Sequence, residues 1–366
     1  MGAVPVPGVE GRDLGRAGHG EAAALRRRLR PPGVLRSAVA TPAVRPALSR
    51  RRRAGLTGHP AGSGPIHGCV LWRSRETSEA DMTMTKAFPA AESADLPEGV
   101  VVQPRRYEFE GLEDIPQYWF AHNPITTHVE NAFSILIPPG ERFFIRSVRH
   151  YADQVTDPDT QELIRAFCQQ EALHTKAHNE LNASFKRFGI DVDREIAYAD
   201  RSMAVIARIL SPKSQLAVTA FLEHLTATGA HMMFQEADFM EEKMHPEMLR
   251  FWRWHAAEEL EHKAVAFDLY HRIGGGYVRR VLCAVATAVL LAVPFVRIAR
   301  RMMHEDPHNV TAAEREEARA IDRKLTRAQL KPILGFFKRD FHPWNAHDEA
   351  YLREWYAADE TAAQRS

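Results

Sequence analysis

The sequence is poor in cysteine, in strand-like alternation and, at its start, in lysine. Cys69, Cys168 and Cys283 are its three cysteines in 366 residues, with no pair at metal-binding or thioredoxin-like spacing. A disulfide framework is excluded, and a reducing, cytoplasmic setting fits. There is no flavin or nicotinamide fingerprint, so a redox enzyme of this sequence would need a separate electron-donor protein. The N-terminus lacks the apolar core of a cleavable signal peptide. From about Tyr107 to Phe341 no run alternates as a strand would, which points to an all-α fold. The net charge of +1 averages a basic start with a mildly acidic body and names no partner.

The first 81 residues hold 14 arginines, no lysine, six acids and 12 of the 21 glycines. Without hydrophobic periodicity such a segment cannot bury enough apolar area to offset chain entropy. Residues 1–95 are therefore expected to form a disordered, arginine-rich extension. Translation upstream of a true start at Met82 or Met84 would give the same bias. A basic nucleic-acid-binding tail and a transit peptide are the functional alternatives. The rest is expected to divide into a metal-binding helical bundle over residues 96–275 and an apolar helix with a helical extension over 276–366. For this body no nucleic-acid partner is expected.

Helix punctuation organises the body. "IPPGERFF" predicts a break at Pro138, Pro139 and Gly140 with a helix opening at Glu141. A second helix runs from near Asp157 to Gly189, which suits a C-terminal cap. Ser211 opens a further long helix and Pro246 another, which runs to the glycines at 274–276. Residues 281–296 are sixteen uncharged residues flanked by arginines, between the lengths usual for buried and membrane-spanning helices. A buried helix, a homodimer contact and membrane association are all compatible with it. "FHPWNAHDEAYLREWYAADE" resumes apolar spacing and is expected to fold back on the body.

Ionisable groups in apolar helical contexts carry the chemistry. In "WHAAEELEHKAVAFD", at about 100° per residue, His255, Glu259 and His262 fall on one stripe beside apolar surface. Buried carboxylates beside buried imidazoles are costly unless hydrogen-bonded, paired or metal-bound. In chain order come Glu141, the Glu171-x-x-His174 pair, Glu223, and the Glu259-x-x-His262 pair. Residues three apart share a helix face, so each pair offers a carboxylate and an imidazole to one point in a core. Two such helices and two further glutamates supply six ligands around two metal ions, the set of ferritin-like carboxylate bundles. One Glu-x-x-His alone is usually a solvated surface pair. Four pieces in the right order on separate long helices argue against coincidence.

"PPGERFFIRSVR", "QEALHTKAHNELN", "FLEHLTA" and "WHAAEELEHKAVAFD" together resemble the bacterial family of predicted metal-dependent hydrolases, over roughly Pro124 to Tyr277. The resemblance implies a metal-binding enzyme of hydrolytic type. The ligand order is also similar to the ferritin-like di-iron superfamily, which implies a four-helix bundle with additional helices. Carried over by position, it makes Glu141, Glu171, His174, Glu223, Glu259 and His262 the ligands of two metal ions. Glu141 departs from the pattern by sitting at a helix start, with Glu130 as its substitute.

His178 and His255 lie one turn from His174 and Glu259 and are candidates for proton transfer, as is Glu258 for a catalytic or supporting role. The leading expectation is a di-iron oxidase or oxygenase acting on an apolar small molecule. Thr226 and Thr228, on the Glu223 helix, are candidates to bond an oxygen species at the metals, or simply to stabilise that helix. A hydrolase using metal-activated water is the alternative, and a non-enzymatic metal-binding protein the third. Iron, manganese and zinc all suit these ligands.

Overall fold

The computed structural model describes residues 96–363, so the expected N-terminal extension lies outside the described residues. The expected all-α class holds: among the described residues no strand forms, and isolated bridge residues such as Phe120, paired with Met244, are the sheet-like features. Helix α1 spans Pro124–Ala152, α2 Pro158–Ser184, α3 Val192–Ile209, α4 Pro212–Gln235 and α5 Ala237–Lys243. Helix α6 spans Pro246–His262, α7 Val265–Arg272, α8 Tyr277–Glu305, α9 Ala312–Gly335 and α10 Glu349–Ala363.

Local chemistry sets the ends. Asn123, Asp157 and Ser211 each accept a hydrogen bond from a backbone N–H in the first turn, and a proline follows each. Helix α2 tightens into a 3-10 turn and stops at Gly189, whose φ of 80° only glycine adopts cheaply. The long helix expected from Pro246 to the glycines is interrupted at Lys263 and Ala264, giving α6 and α7.

The break expected before Glu141 does not occur. Pro138 and Pro139 lie inside α1, and Glu141 sits in mid-helix. A proline at 138 removes the hydrogen bond that would reach the Ser134 carbonyl, and buried carbonyls need a partner. Asn182 on α2 supplies one, its Nδ2 donating to Ser134 O at 3.0 Å. The helix therefore continues, and Glu141 is carried into the core at 2% exposure.

Helix α1 packs on α2 and α4, and α6 packs on α4 and α2. These four helices carry the six predicted ligands. Before α1 an extended segment crosses behind α2 and α6, where the Gln103 and Arg105 amides bond Glu261 and Glu258. Helix α10 folds back as expected, burying Leu352 and placing the Tyr356 hydroxyl 3.3 Å from Val101 O. Helix α8 packs on α1 and α4 with one side, yet 28% of its apolar window is buried. Its other side faces outward.

Candidate metal centre

Glu141, Glu171, His174, Glu223, Glu259 and His262 all lie at 2% exposure or less. His262 Nε2 is 3.4 Å from carboxylate oxygens of Glu171, Glu223 and Glu259. His174 Nδ1 is 3.7 Å from oxygens of both Glu141 and Glu259. Glu259 thus faces both imidazoles and sits between two positions where donors converge. Glu141, His174, His255 and Glu259 form one compact group, and Glu171, Glu259 and His262 the other.

The hydrogen-bond inventory tests whether metal ions fit. Each of the six residues has a fully buried oxygen or nitrogen with no hydrogen-bond partner: Glu141 Oε1, both oxygens of Glu171 and of Glu223, His174 Nδ1, Glu259 Oε2 and His262 Nε2. Leaving one such atom unsatisfied costs about 1–3 kcal/mol, and more when charged. Converging in one core, they are the donor set that two cations would satisfy. Four carboxylates also balance the charge of two divalent ions.

The opposite edges of the two imidazoles are fully engaged. His174 Nε2 lies 3.0 Å from Glu258 Oε2, and His262 Nδ1 lies 3.0 Å from Gln170 Oε1. In each half the residue preceding the candidate ligand glutamate on one helix holds the histidine of the other. Glu258 and Glu261 are tied to Arg105, Glu261 through its guanidinium at 2.8 Å. Gln170 Nε2 donates to Glu261 Oε2 at 2.7 Å. Such partners fix the tautomer and orientation of a ligating imidazole.

The remaining candidates separate by position. His255 Nε2 is 3.1 Å from Glu259 Oε1, and its Nδ1 is 3.3 Å from His178 Nε2. His178 Nδ1 is 2.8 Å from Ser134 Oγ, which donates its proton to Asn182 Oδ1 at 2.7 Å. With the Ser134 proton committed, His178 must donate through Nδ1 and accept at Nε2. His255 then donates through Nδ1, and its Nε2 faces Glu259 Oε1 in the cluster. That placement suits a further metal donor as well as a proton carrier. Glu258 lies behind His174, and the expected substitute Glu130 lies apart from the cluster, in a neighbouring cavity. Thr226 and Thr228 bond carbonyls of their own helix, at 3.0 Å to Glu223 O and 2.7 Å to His224 O.

Without cations the electrostatics are extreme. Burial, with Thr175 opposing and Glu259 and Glu223 reinforcing, pushes Glu141 well above the usual carboxylate range. Burial and the neighbouring Glu223 do the same to Glu171. Glu223 is pushed up to about 8, mainly by burial. Glu259 runs the other way, because His262 and His255 outweigh its burial and hold it well below the usual range. Burial drives His174 and His178 well below the ordinary histidine value, so both are neutral at pH 7, the form in which imidazole binds metal.

A cavity of about 590 Å³ opens onto Glu141, His255 and Glu259. Its walls are apolar, with Phe133, Leu136, Phe221, Met233 and Phe295 among them. Half-buried Glu130 is a polar exception, its carboxyl raised to about 7 by desolvation.

An all-helical core with this orphaned donor set defines a metal-binding protein. The family described as predicted metal-dependent hydrolase matches residues 103–347, and the chain belongs to that family. The match bears out the resemblance and extends it through α8 and α9. No curated protein and no solved structure matches the chain.

Arg105, Glu261 and Ser134 take part in this site without having been singled out in the sequence. Glu261 carried a signal, since it follows His255 by six residues inside the same apolar helix. Arg105 carried none, because an extended segment has no periodicity to betray which side chain turns inward.

Proposed function

We propose that this protein is a metal-dependent hydrolase with a dinuclear, carboxylate-rich centre, acting on a small substrate with an apolar tail. The observation that carries this is the cavity, apolar along its walls and ending on Glu141, His255 and Glu259. Family membership supports hydrolytic chemistry. The six converging ligands would hold two divalent ions, whose chemistry is to acidify a water and polarise an ester, amide or phosphoryl oxygen.

The chain's own groups divide the remaining work. The apolar walls hold the substrate's tail and exclude water beyond the site. His255 borders the cavity and can pass a proton along its Nδ1 to His178, which Ser134 and Asn182 orient. Glu130, half-protonated near pH 7, is placed within the cavity to give a proton to a leaving group. Glu258 and Gln170 hold His174 and His262 from behind.

A second reading has its own support. Four glutamates and two histidines in this order resemble the ligand set of di-iron carboxylate bundles, and oxidation of an apolar substrate by dioxygen would use the same cavity. Metal analysis of aerobically purified protein, with activity on aryl and acyl esters, separates the two. Colourless zinc or manganese protein that hydrolyses esters and stops on chelation supports the hydrolase. Iron-loaded protein that consumes dioxygen with a reductant and leaves esters intact overturns it.

A further inference from the structure

The exposed large aliphatic side chains of the described residues are confined to three helices: Val205 and Ile209 on α3, Leu330 and Leu334 on α9, and the rest on α8. On α8, Val278, Leu282, Val285, Val289, Val293 and Val296 recur at steps of three and four residues, each at least 40% exposed. Eighteen residues at about 100° each close five turns, so the row runs straight along one face. The same three helices line the cavity from their other sides, with Met203 from α3, Leu291 and Phe295 from α8, and Ile333 from α9. Ala288 and Ala292 both line the cavity and are exposed, which puts its mouth along α8.

Charge identifies what covers this face. Tyr277 to His304 contains five arginines and no acid, and residues 323–339 contain six basic residues and no acid. Arg279 and Arg300 are exposed at opposite ends of α8, Arg208 lies beside Ile209, and Lys331 beside Leu330. Glu195 on α3 meets Arg297 and Arg301 at 3.5 and 3.4 Å, and Glu305 at the end of α8 pairs with Arg194 and Arg301 at 2.7 and 3.1 Å, so Arg279, Arg300, Arg208 and Lys331 set the sign of the remaining charge beside the row. A second copy pairing through α8 would set arginine against arginine, whether the helices ran parallel or antiparallel. An anionic lipid surface complements both the apolar row and its basic ends. Helix α8 is long and apolar enough to cross a membrane. Its inner side is nevertheless held by α1 and α4, and its buried Arg280 stacks on Phe267 and Phe336. That packing suits a helix lying flat in the interface.

We infer that the outer face of α8, with its neighbours on α3 and α9, docks on an anionic membrane and admits an acyl-chain substrate from the bilayer into the cavity. The docking stands on the surface alone, whereas the substrate class rests on the proposed hydrolase reading.

Flotation of the full chain with vesicles tests the docking, using phosphatidylcholine alone and phosphatidylcholine with about one third phosphatidylglycerol. The wild type should float with the anionic vesicles, less at high salt, and far less with neutral ones. The double variant V289E/V293E changes two side chains at 64% and 60% exposure and should weaken binding at least tenfold. Its metal content, melting temperature and hydrolysis of a short soluble ester should match the wild type. Wild-type protein that ignores both vesicles overturns the proposal. So does a wild-type dimer that the variant converts to monomer, which would assign the face to a second copy. Flotation that persists where no ester is hydrolysed upholds the docking while the hydrolase reading fails.

Discussion

Chelating the metal should make stability fall as pH rises. A carboxyl whose folded pKa is raised holds its proton more tightly in the folded state than in the unfolded one. The stability it contributes is complete below the unfolded pKa and is lost as pH climbs through the folded value. For Glu223, raised from 4.5 to about 8 chiefly by burial, about 1.4 kcal/mol per unit gives on the order of 5 kcal/mol lost across that window. Glu141 and Glu171, raised by burial, act in the same direction. So does His262, where Glu223 and Glu259 overcome burial to raise its pKa. His174 and His178, lowered by burial, act in the opposite sense below the ordinary histidine value and offset part of the loss, whereas Glu259, held low by His262 and His255 despite burial, changes stability below pH 4.5 and is nearly level across this window. A net loss of a few kcal/mol between about pH 5 and pH 8 lowers Tm by roughly 2–4 °C per kcal/mol at this size. Cations neutralise the carboxylates, so reloaded protein should melt at nearly constant temperature over the same range. Paired melting curves of chelated and reloaded protein provide the assay. Chelated protein that keeps its Tm, or gains stability, as pH rises would refute the reasoning.

Substitutions test the parts separately. His174→Ala and His262→Ala should each lose most of the bound metal, whereas His178→Ala should keep it and lower activity, as metal analysis beside an activity assay will show. Asn182→Ala strips the Ser134 carbonyl of the partner that replaces the bond lost at Pro138; it should cost about 1–3 kcal/mol, read from the denaturation midpoint. Glu130→Gln should retain metal but remove the limb near pH 7 from the pH profile of kcat/KM, and an unchanged profile would exclude Glu130 from proton transfer.

The sequence carried the centre more legibly than its surroundings. Glu171, His174, Glu259 and His262 were readable because a three-residue step on a helix forces two side chains to one face, whatever the tertiary structure. Pro138, Pro139 and Gly140 read locally as a break, which puts Glu141 at a helix start. The partner that lets the helix continue, Asn182, is 48 residues from Ser134 in the chain. Glu261 and Gln170 were in view as helix residues, but their pairing across α2 and α6 depends on how those helices face one another. The apolar segment 281–296 left burial, dimer contact and membrane association open. Composition alone cannot tell which side of a helix the body covers.

Metal stoichiometry tests the central claim most directly. Purified wild-type protein, measured by elemental analysis per chain, should hold about two divalent metal ions. The double variant His174→Ala/His262→Ala, assayed beside it, should hold essentially none while Glu130→Gln still holds the full complement. Metal-free wild-type protein that cannot be loaded, or a double variant that binds as much metal as the wild type, would contradict the assignment of Glu141, Glu171, His174, Glu223, Glu259 and His262 as a dinuclear ligand set.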